Sequence, residues 1–432
     1  MKRAFLLAAL ALIALSAASA RDDDDPVAAR AKEIADLVVE SPDVPAKMFA
    51  KNFLAAVPAK KMGSILGNVF EEGGKVTSVE RLSGDKLQGR FELVQEKGTR
   101  TQLTLSVTAD APHRIEGLWL KPLGAAARSL AEVEAELAKL PGHVSFSVAR
   151  LGSRSPVTLA SLNPDDPLAI GSSFKLYILG QLVADVAAGK RKWADVVTLR
   201  PERRSLPSGM IQEWPADAPV TLHTLASLMI SISDNTATDN LLATLGRERV
   251  ERHMEVMGAS QPELSWPFLA TGEMFRLKWG KKGAVERYLA TDVAGKRRIL
   301  DEIVKEPIGG VGSGSGEPTL ISKLEWFASA NDLVRALDWI RGATTTDRTA
   351  RGILSINKAG VDPALFRYVG FKGGSEPGVL ELAWLLERND GAWFAVCIGW
   401  NDPGAPVDAA KLDGIASRTI ELVSRGSAPR LY

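Results

Sequence analysis

Cysteine is nearly absent. The 432 residues hold one, Cys397, so no intramolecular disulfide can staple the fold. Its setting in the apolar run from Trp393 to Trp400 marks it as a small buried hydrophobe in a strand. Neither sign of charge is in excess: 53 Lys and Arg balance 52 Asp and Glu, for a net charge of +1. The overall field therefore favours neither nucleic acid nor an anionic membrane as partner. Beyond the first twenty residues no apolar run is long enough to cross ~30 Å of hydrocarbon. Histidine is scarce as well. His113, His143, His223 and His253 are the only four, and none stands in a recognisable catalytic setting, so the usual base for a serine nucleophile is missing.

What is present begins with a basic start (Lys2, Arg3), an apolar stretch from Ala4 to Leu15, and the small residues Ala18-Ser19-Ala20, followed by the acidic run Asp22 to Asp25. This pattern predicts a secretory signal over residues 1–20 and a soluble protein that is secreted or periplasmic. No cysteine sits near the cleavage site to carry a lipid.

Two units follow. In residues 27–122, helical spacing over Ala31–Val39, Ala46–Val57 and Ala59–Phe70 gives way to period-two alternation over Val76–Leu82, Leu87–Val94, Thr101–Val107 and Ile115–Leu120. Helices on an antiparallel meander resemble the cone-shaped NTF2-like family in element order. No cluster of histidines or carboxylates converges there, so the unit reads as a packing domain in preference to a second ligand site. In residues 125–432, a helix is predicted over Ala126–Leu140, a hairpin over Val144–Leu151 and Val157–Leu162, and a long helical middle. Strands over Leu380–Glu387 and Ala392–Trp400 and a helix over Ala409–Val423 follow. Strands at both ends with helices between them predict one sheet built from distant parts of the chain, an α+β fold overall. The segment Val311–Gly316 reads as a flexible loop.

Three polar patterns carry the chemistry. The first is Ser172-x-x-Lys175. Two other Ser-x-x-Lys pairs exist, Ser83/Lys86 in a predicted turn and Ser355/Lys358 with no partner motif downstream. Ser172 differs because Phe174, Tyr177, Ile178, Leu182 and Val183 follow it at helical spacing. That places Ser172 in the first turn of a buried helix, on one face with Lys175 and near free backbone N–H groups. With no suitable histidine, Lys175 is the candidate base. Its pKa must fall from ~10.4 to roughly 7–8, about 4 kcal/mol, which burial and a second cation can supply. The second pattern is Ser233-Asp234-Asn235, which alone would be a helix cap. With Ser172, it offers Ser233 as a proton relay and Asn235 as an amide for substrate. The third is Lys372-Gly373-Gly374. It provides the second cation, glycines that allow close backbone approach, and the N–H of Ser375 to pair with that of Ser172 as an oxyanion hole.

In this order the motifs resemble the class A β-lactamases and related penicillin-binding proteins. The strings Ser231 to Leu242 and Leu206-Pro207-Ser208-Gly209-Met210 resemble the family's segments around its second motif. The likeness spans roughly 125–432. It implies a β-lactamase/transpeptidase-like domain with an antiparallel sheet flanked by helices, and Ser172 as the acylated residue. With the front unit, the architecture is similar to β-lactamase-like proteins found beside clavulanic-acid biosynthesis. It implies catalytic Ser172, Lys175, Ser233 and Lys372, substrate-binding Asn235, Gly374 and Ser375, a small-molecule substrate (β-lactam, peptide or ester), and no metal or organic cofactor. The chain departs from the family pattern in four ways. Gly373 replaces the usual Thr or Ser, and no arginine lies in 376–383. The Glu-x-x-Leu-Asn deacylation pattern is missing, with Glu263 and Glu273 as positional candidates only. The spacing from Ser233 to Lys372 is 139 residues (372 − 233). The expected activity is hydrolysis of a β-lactam or related amide. The alternatives are a penicillin-binding D-Ala-D-Ala carboxypeptidase or an esterase on the same scaffold, and a binding protein with a vestigial site. Oligomeric state is not legible.

Overall fold

The computed structural model describes residues 25–425 apart from 126, 128, 153–154, 207, 282 and 309–315. The leader expected over 1–20 and most of the loop expected at 311–316 lie outside the described residues. The chain divides into two compact units, Met1–Ala126 and Ala127–Tyr432.

The first unit contains helices α1 (Pro26–Asp36), α2 (Lys51–Ala56) and α3 (Ala59–Gly73) and strands β1 (Val76–Gly84), β2 (Gln88–Gln95), β3 (Thr99–Val107) and β4 (Ile115–Ala125). The strands form an antiparallel meander in sequence order. Phe91, Leu93, Leu103, Leu105 and Ile115 on its inner face are buried with Val27, Ile34 and Leu66 of the helices, as alternation requires of a sheet with one covered face. The single helix expected over 46–57 is broken. A short turn over Ala46–Met48 leads to Phe49, which bridges to Ile115, and the Ala50 N–H donates to the Ile115 carbonyl at 2.8 Å. Pairing with the sheet thus overrides helical spacing there.

The second unit opens with α4 (Leu130–Leu137), β5 (His143–Leu151), β6 (Val157–Leu162) and β7 (Leu168–Ala169). The helix is shorter than the expected 126–140, because β4 runs on to Ala125 and Ser129 caps it by accepting from the Glu132 N–H. Then come α5 (Lys175–Ala187), β8 (Val196–Thr198), β9 (Pro219–Thr221), α6 (Leu222–Ser231), α7 (Asn235–Leu245), α8 (Arg247–Val256), α9 (Thr271–Trp279), α10 (Ala284–Leu289) and α11 (Val293–Ile303). The unit ends with β10 (Phe327–Ala328), α12 (Ala330–Ala343), α13 (Thr349–Leu354), β11 (Phe366–Glu376), β12 (Val379–Arg388), β13 (Trp393–Asn401) and α14 (Ala409–Ser424). The main sheet has the order β11-β12-β13-β5-β6, antiparallel throughout. One face packs on α5, α12 and the helical middle, the other on α4 and α14. This is a mixed α+β fold in which both ends of the unit build one sheet. Strand β13 is buried along nearly its whole length, and Cys397 lies on it fully buried, its thiol pushed up by burial and then by Glu381.

Helix α5 is the central helix. Lys175 to Val183 are all buried, since α6, α7, α8 and α12 surround it. A helix enclosed on every side is apolar all round, and that forces the polar residues at its start into a dry environment.

Candidate active site

Ser172 lies in a short 3₁₀ turn, Gly171–Phe174, that runs straight into α5. Three constraints fix the turn. Gly171 has φ of 45°, and a Cβ there would sit 2.9 Å from the Ser375 nitrogen. The Ile170 N–H donates to the Trp326 carbonyl at 3.0 Å. The Trp326 ring stacks on Phe174 with centroids 3.7 Å apart. Trp326 carries no sequence motif and was not foreseen as part of the site; a lone tryptophan after Glu325 gives no signal.

The Lys175 amine sits 3.2 Å from Ser172 Oγ, 2.9 Å from Ser233 Oγ, 2.7 Å from the Ser233 carbonyl and 2.7 Å from Asn235 Oδ1. Ser233 can offer both oxygens because it occupies the left-handed region, φ 58°, an uncommon conformation for a side-chain-bearing residue and one concentrated at functional sites. The conformation is held from both sides. Asp234, fully buried, caps α7 through the Ala237 N–H at 2.8 Å and takes the N–H groups of Met210 and Ile211 at 2.7 and 3.0 Å. Ser208 Oγ donates to the Ser233 carbonyl at 2.8 Å. The motif is therefore a cap and a site at once: Asp234 caps, while Ser233 and Asn235 reach the lysine.

Lys372, Gly373 and Gly374 lie on β11 rather than in a turn. The Lys372 amine is 3.2 Å from Ser233 Oγ and also donates to the Gly373 carbonyl. Ser233 Oγ thus bridges the two lysines. Gly374 makes its close approach to the protein's own chain, not to a ligand: a Cβ there would lie 2.0 Å from the Ile170 oxygen and 2.5 Å from the Ser172 nitrogen. The glycine lets the strand lie against the nucleophile turn, bringing the Ser172 and Ser375 backbones together. Ser375 itself is exposed. Asn235 is already committed inside the protein, since its Nδ2 donates to the Leu206 carbonyl at 3.0 Å while Oδ1 accepts from Lys175. Its amide has one further N–H to donate.

Both amines are pushed toward the neutral form. Burial holds Lys175 well below the ordinary lysine range, the Lys372 charge adds to this, and Asp239 and Asp234 oppose it. Burial brings Lys372 down to about 7. Asp239, one helical turn beyond Asn235, belongs to the same network. Thr271 Oγ1 donates to Asp239 Oδ1 at 2.9 Å and lies 3.3 Å from the Asn235 carbonyl and 2.7 Å from Ser205 Oγ. Burial lifts the Asp239 carboxyl to about 6 against hydrogen bonds from Gly272 and Thr271. The i, i+4 spacing from Asn235 on an amphipathic helix is the signal that could have found it.

The four residues expected to carry chemistry, Ser172, Lys175, Ser233 and Lys372, are thus one hydrogen-bonded cluster. The deacylation candidates stand apart from it. Glu263 is exposed. Glu273 binds Arg247 through both oxygens, at 2.5 and 2.9 Å, and accepts from the Ala270 N–H. Of the other Ser-x-x-Lys serines, Ser83 lies near the end of β1 and Ser355 at the C-terminus of α13.

Residues 126–354 match the beta-lactamase enzyme family. The match includes Ser172, Lys175, Ser233 and Asn235 and stops short of Lys372. Among solved structures, PBP-A is similar at 15% identity and TM-score 0.48, over 68% of this chain and 96% of that one. A β-lactamase from Sphaerobacter thermophilus is similar at 19% identity and TM-score 0.48, over 69% and 97%. An ancestral class A β-lactamase is similar at 18% identity and TM-score 0.46, over 68% and 97%. No curated protein matches by sequence.

Proposed function

This chain belongs to the beta-lactamase enzyme family of serine hydrolases, and from that premise we propose that Ser172 is acylated by a β-lactam or related amide with Lys175 as general base. The observation that carries the proposal is the Lys175 amine, buried, biased toward neutrality and 3.2 Å from Ser172 Oγ. A neutral amine has two N–H groups and one lone pair. The Ser233 carbonyl and Asn235 Oδ1, both at 2.7 Å, take the two donors, leaving the lone pair for the Ser172 hydroxyl proton. The freed Oγ attacks the carbonyl carbon. Negative charge develops on the carbonyl oxygen between the N–H groups of Ser172 and Ser375, where each donor typically contributes ~10²–10³ in rate. The proton then passes through Ser233 Oγ to the leaving nitrogen. The Lys372 amine donates to that hydroxyl at 3.2 Å, and the product is an ester on Ser172.

Removal of the acyl group is the slow half. Among the described residues no carboxylate hydrogen-bonds Ser172, Lys175 or Ser233. This favours a long-lived acyl-enzyme, closer to a penicillin-binding carboxypeptidase or an esterase than to a fast β-lactamase. Gly373 and the lack of arginine in 376–383 likewise weaken recognition of a β-lactam carboxylate. The same proposal takes residues 1–20 as a secretory leader and the front unit as NTF2-like. Intact-mass spectra after mixing with a penicillin test the chemistry: an adduct on Ser172 persisting for many minutes is expected, and absence of any adduct across several β-lactams refutes it.

A further inference from the structure

Strand β11 continues past Ser375 to Glu376, and alternation puts Glu376 on the same face as Lys372 and Gly374. This carboxyl meets Lys278 of α9, whose amine lies 2.6 Å from Glu376 Oε1 and 2.7 Å from Glu325 Oε1. The Lys278 side chain is fully buried, and so is Glu325. Glu325 immediately precedes Trp326 and accepts its backbone N–H at 3.3 Å. Trp326 in turn holds the nucleophile turn through its carbonyl and its stacked ring. One ammonium therefore joins the segment that backs Ser172 to the strand end that carries Ser375. The proposed oxyanion site is made from one N–H of each.

We propose that Lys278 is a positioning residue that clamps these two segments through Glu325 and Glu376, and that a charge gained by the cluster weakens the oxyanion site, because Glu376 adjoins Ser375 on the strand. The inference rests on the acyl-transfer reading of Ser172. The charged groups facing Glu376 are Lys278 from α9 and Glu325 from the segment ahead of β10. On its own strand, Lys372 is four residues away. Burial and then the charge of Glu325 push the Glu376 carboxyl up to about 9, with Lys278 opposing. Burial works against the Lys278 charge, but Glu325 and Glu376 outweigh it and hold the amine protonated. By distance the Lys278–Glu376 contact is an ion pair. Held up at about 9, the Glu376 carboxyl favours its protonated form at neutral pH, in which it meets Lys278 through a hydrogen bond. As pH rises through about 9, Glu376 ionises and adds a negative charge next to Ser375, whose N–H is one of the two proposed oxyanion donors.

Labelling of Ser172 by a fluorophosphonate reads this in the full chain, because the probe needs an activated serine and an oxyanion site but no β-lactam recognition. Between pH 8 and pH 10 the wild-type rate is expected to fall roughly tenfold, following loss of the Glu376 proton. Lys372, at about 7, titrates below that interval, and Lys175 is held well below the ordinary lysine range. Glu376→Gln keeps the shape and the neutral charge, and its rate should stay flat over that interval. Lys278→Met should slow labelling by ~10²-fold, the scale of one misplaced oxyanion donor. A Glu376→Gln profile with the same tenfold fall overturns the inference alone, whether or not Lys278→Met folds; so does a folded Lys278→Met protein labelled at the wild-type rate. Failure of Ser172 to label at any pH removes the hydrolase reading and the clamp with it.

Discussion

Replacing Lys372 by methionine should move the acid limb of Ser172 acylation to higher pH. Lys175 and Lys372 lie 2.9 and 3.2 Å from the same Ser233 Oγ, so their nitrogens are no further apart than the sum of those distances, about 6 Å. At an effective dielectric constant of 20, two unit charges at that separation repel by about 2.8 kcal/mol, or about two pK units. The repulsion counts while Lys372 is protonated, which holds below about 7. Lys175 works as a base only when neutral, so acylation is full above its pKa and fades as pH falls through it. Removing the neighbouring charge raises that pKa and shifts the limb up by one to two units. Burial, the larger cause, is untouched, so the shift stops well short of the free-lysine value. The assay is the single-turnover rate of fluorescent penicillin labelling from pH 5 to pH 9, read as the position of the limb and not as the plateau. Lys372→Arg keeps the charge and should leave the limb in place or lower it. A limb that stays put in Lys372→Met, or moves to lower pH, refutes the reasoning.

Other perturbations test other parts. Ser172→Ala should abolish adduct formation while leaving the thermal midpoint within a few degrees, since a half-exposed hydroxyl is lost without a cavity; an adduct of unchanged mass shift would move the nucleophile elsewhere. Gly374→Ala forces a methyl to within 2.0 Å of the Ile170 oxygen, and labelling should drop at least ~10²-fold as β11 moves off the turn; near-normal labelling would mean that this approach does not matter. Asp234→Ala strips three N–H groups of their acceptor, two of them buried, and should cost about 2–4 kcal/mol in urea unfolding; a loss under ~1 kcal/mol would show that the connection between α6 and α7 is held by other means.

The geometry of the site was legible wherever it rested on residues close in sequence. Ser172 and Lys175 share a helix face by spacing alone, and the apolar residues after them mark a buried helix. The strands of the main sheet showed through alternation at 144–151, 380–387 and 392–400. Strand β11 did not show, because Gly370, Gly373 and Gly374 mask it with the signature of a turn. Only the register against β12, with Gly374 opposite Glu381, makes it a strand. The left-handed Ser233 is invisible in sequence too, since a serine at a helix junction predicts a cap and nothing about φ. Nor does any local pattern announce Trp326 or Lys278. They matter through contacts made 152 positions (326 − 174) and 98 positions (376 − 278) along the chain. The helix expected over 46–57 shows the converse error, a local pattern overruled by a bridge from Phe49 to Ile115.

The two halves of the proposed reaction stand on unequal footing. Every group for acylation is held by the core: Lys175 by an enclosed helix, Ser233 by the buried cap of Asp234, and Ser375 by a strand that only glycine allows against the turn. The second half needs a base for water. Glu273 is the buried one of the two positional candidates, but it holds Arg247 with both oxygens and closes the start of α9 at Ala270. Drawing it toward Ser172 would strip a largely buried guanidinium of its partner, a change that typically costs 3–5 kcal/mol. That penalty alone would slow a water attack routed through Glu273 by ~10²–10⁴ at 1.36 kcal/mol per decade. Lys175 remains, neutral again once its proton has gone to the leaving group, and 3.2 Å from the ester oxygen it helped to form. If one amine serves both halves, their rates share one titration. An adduct that decays along the same acid limb along which it forms is then the kinetic mark of this site, and a separate carboxylate limb in the decay would place the second base elsewhere.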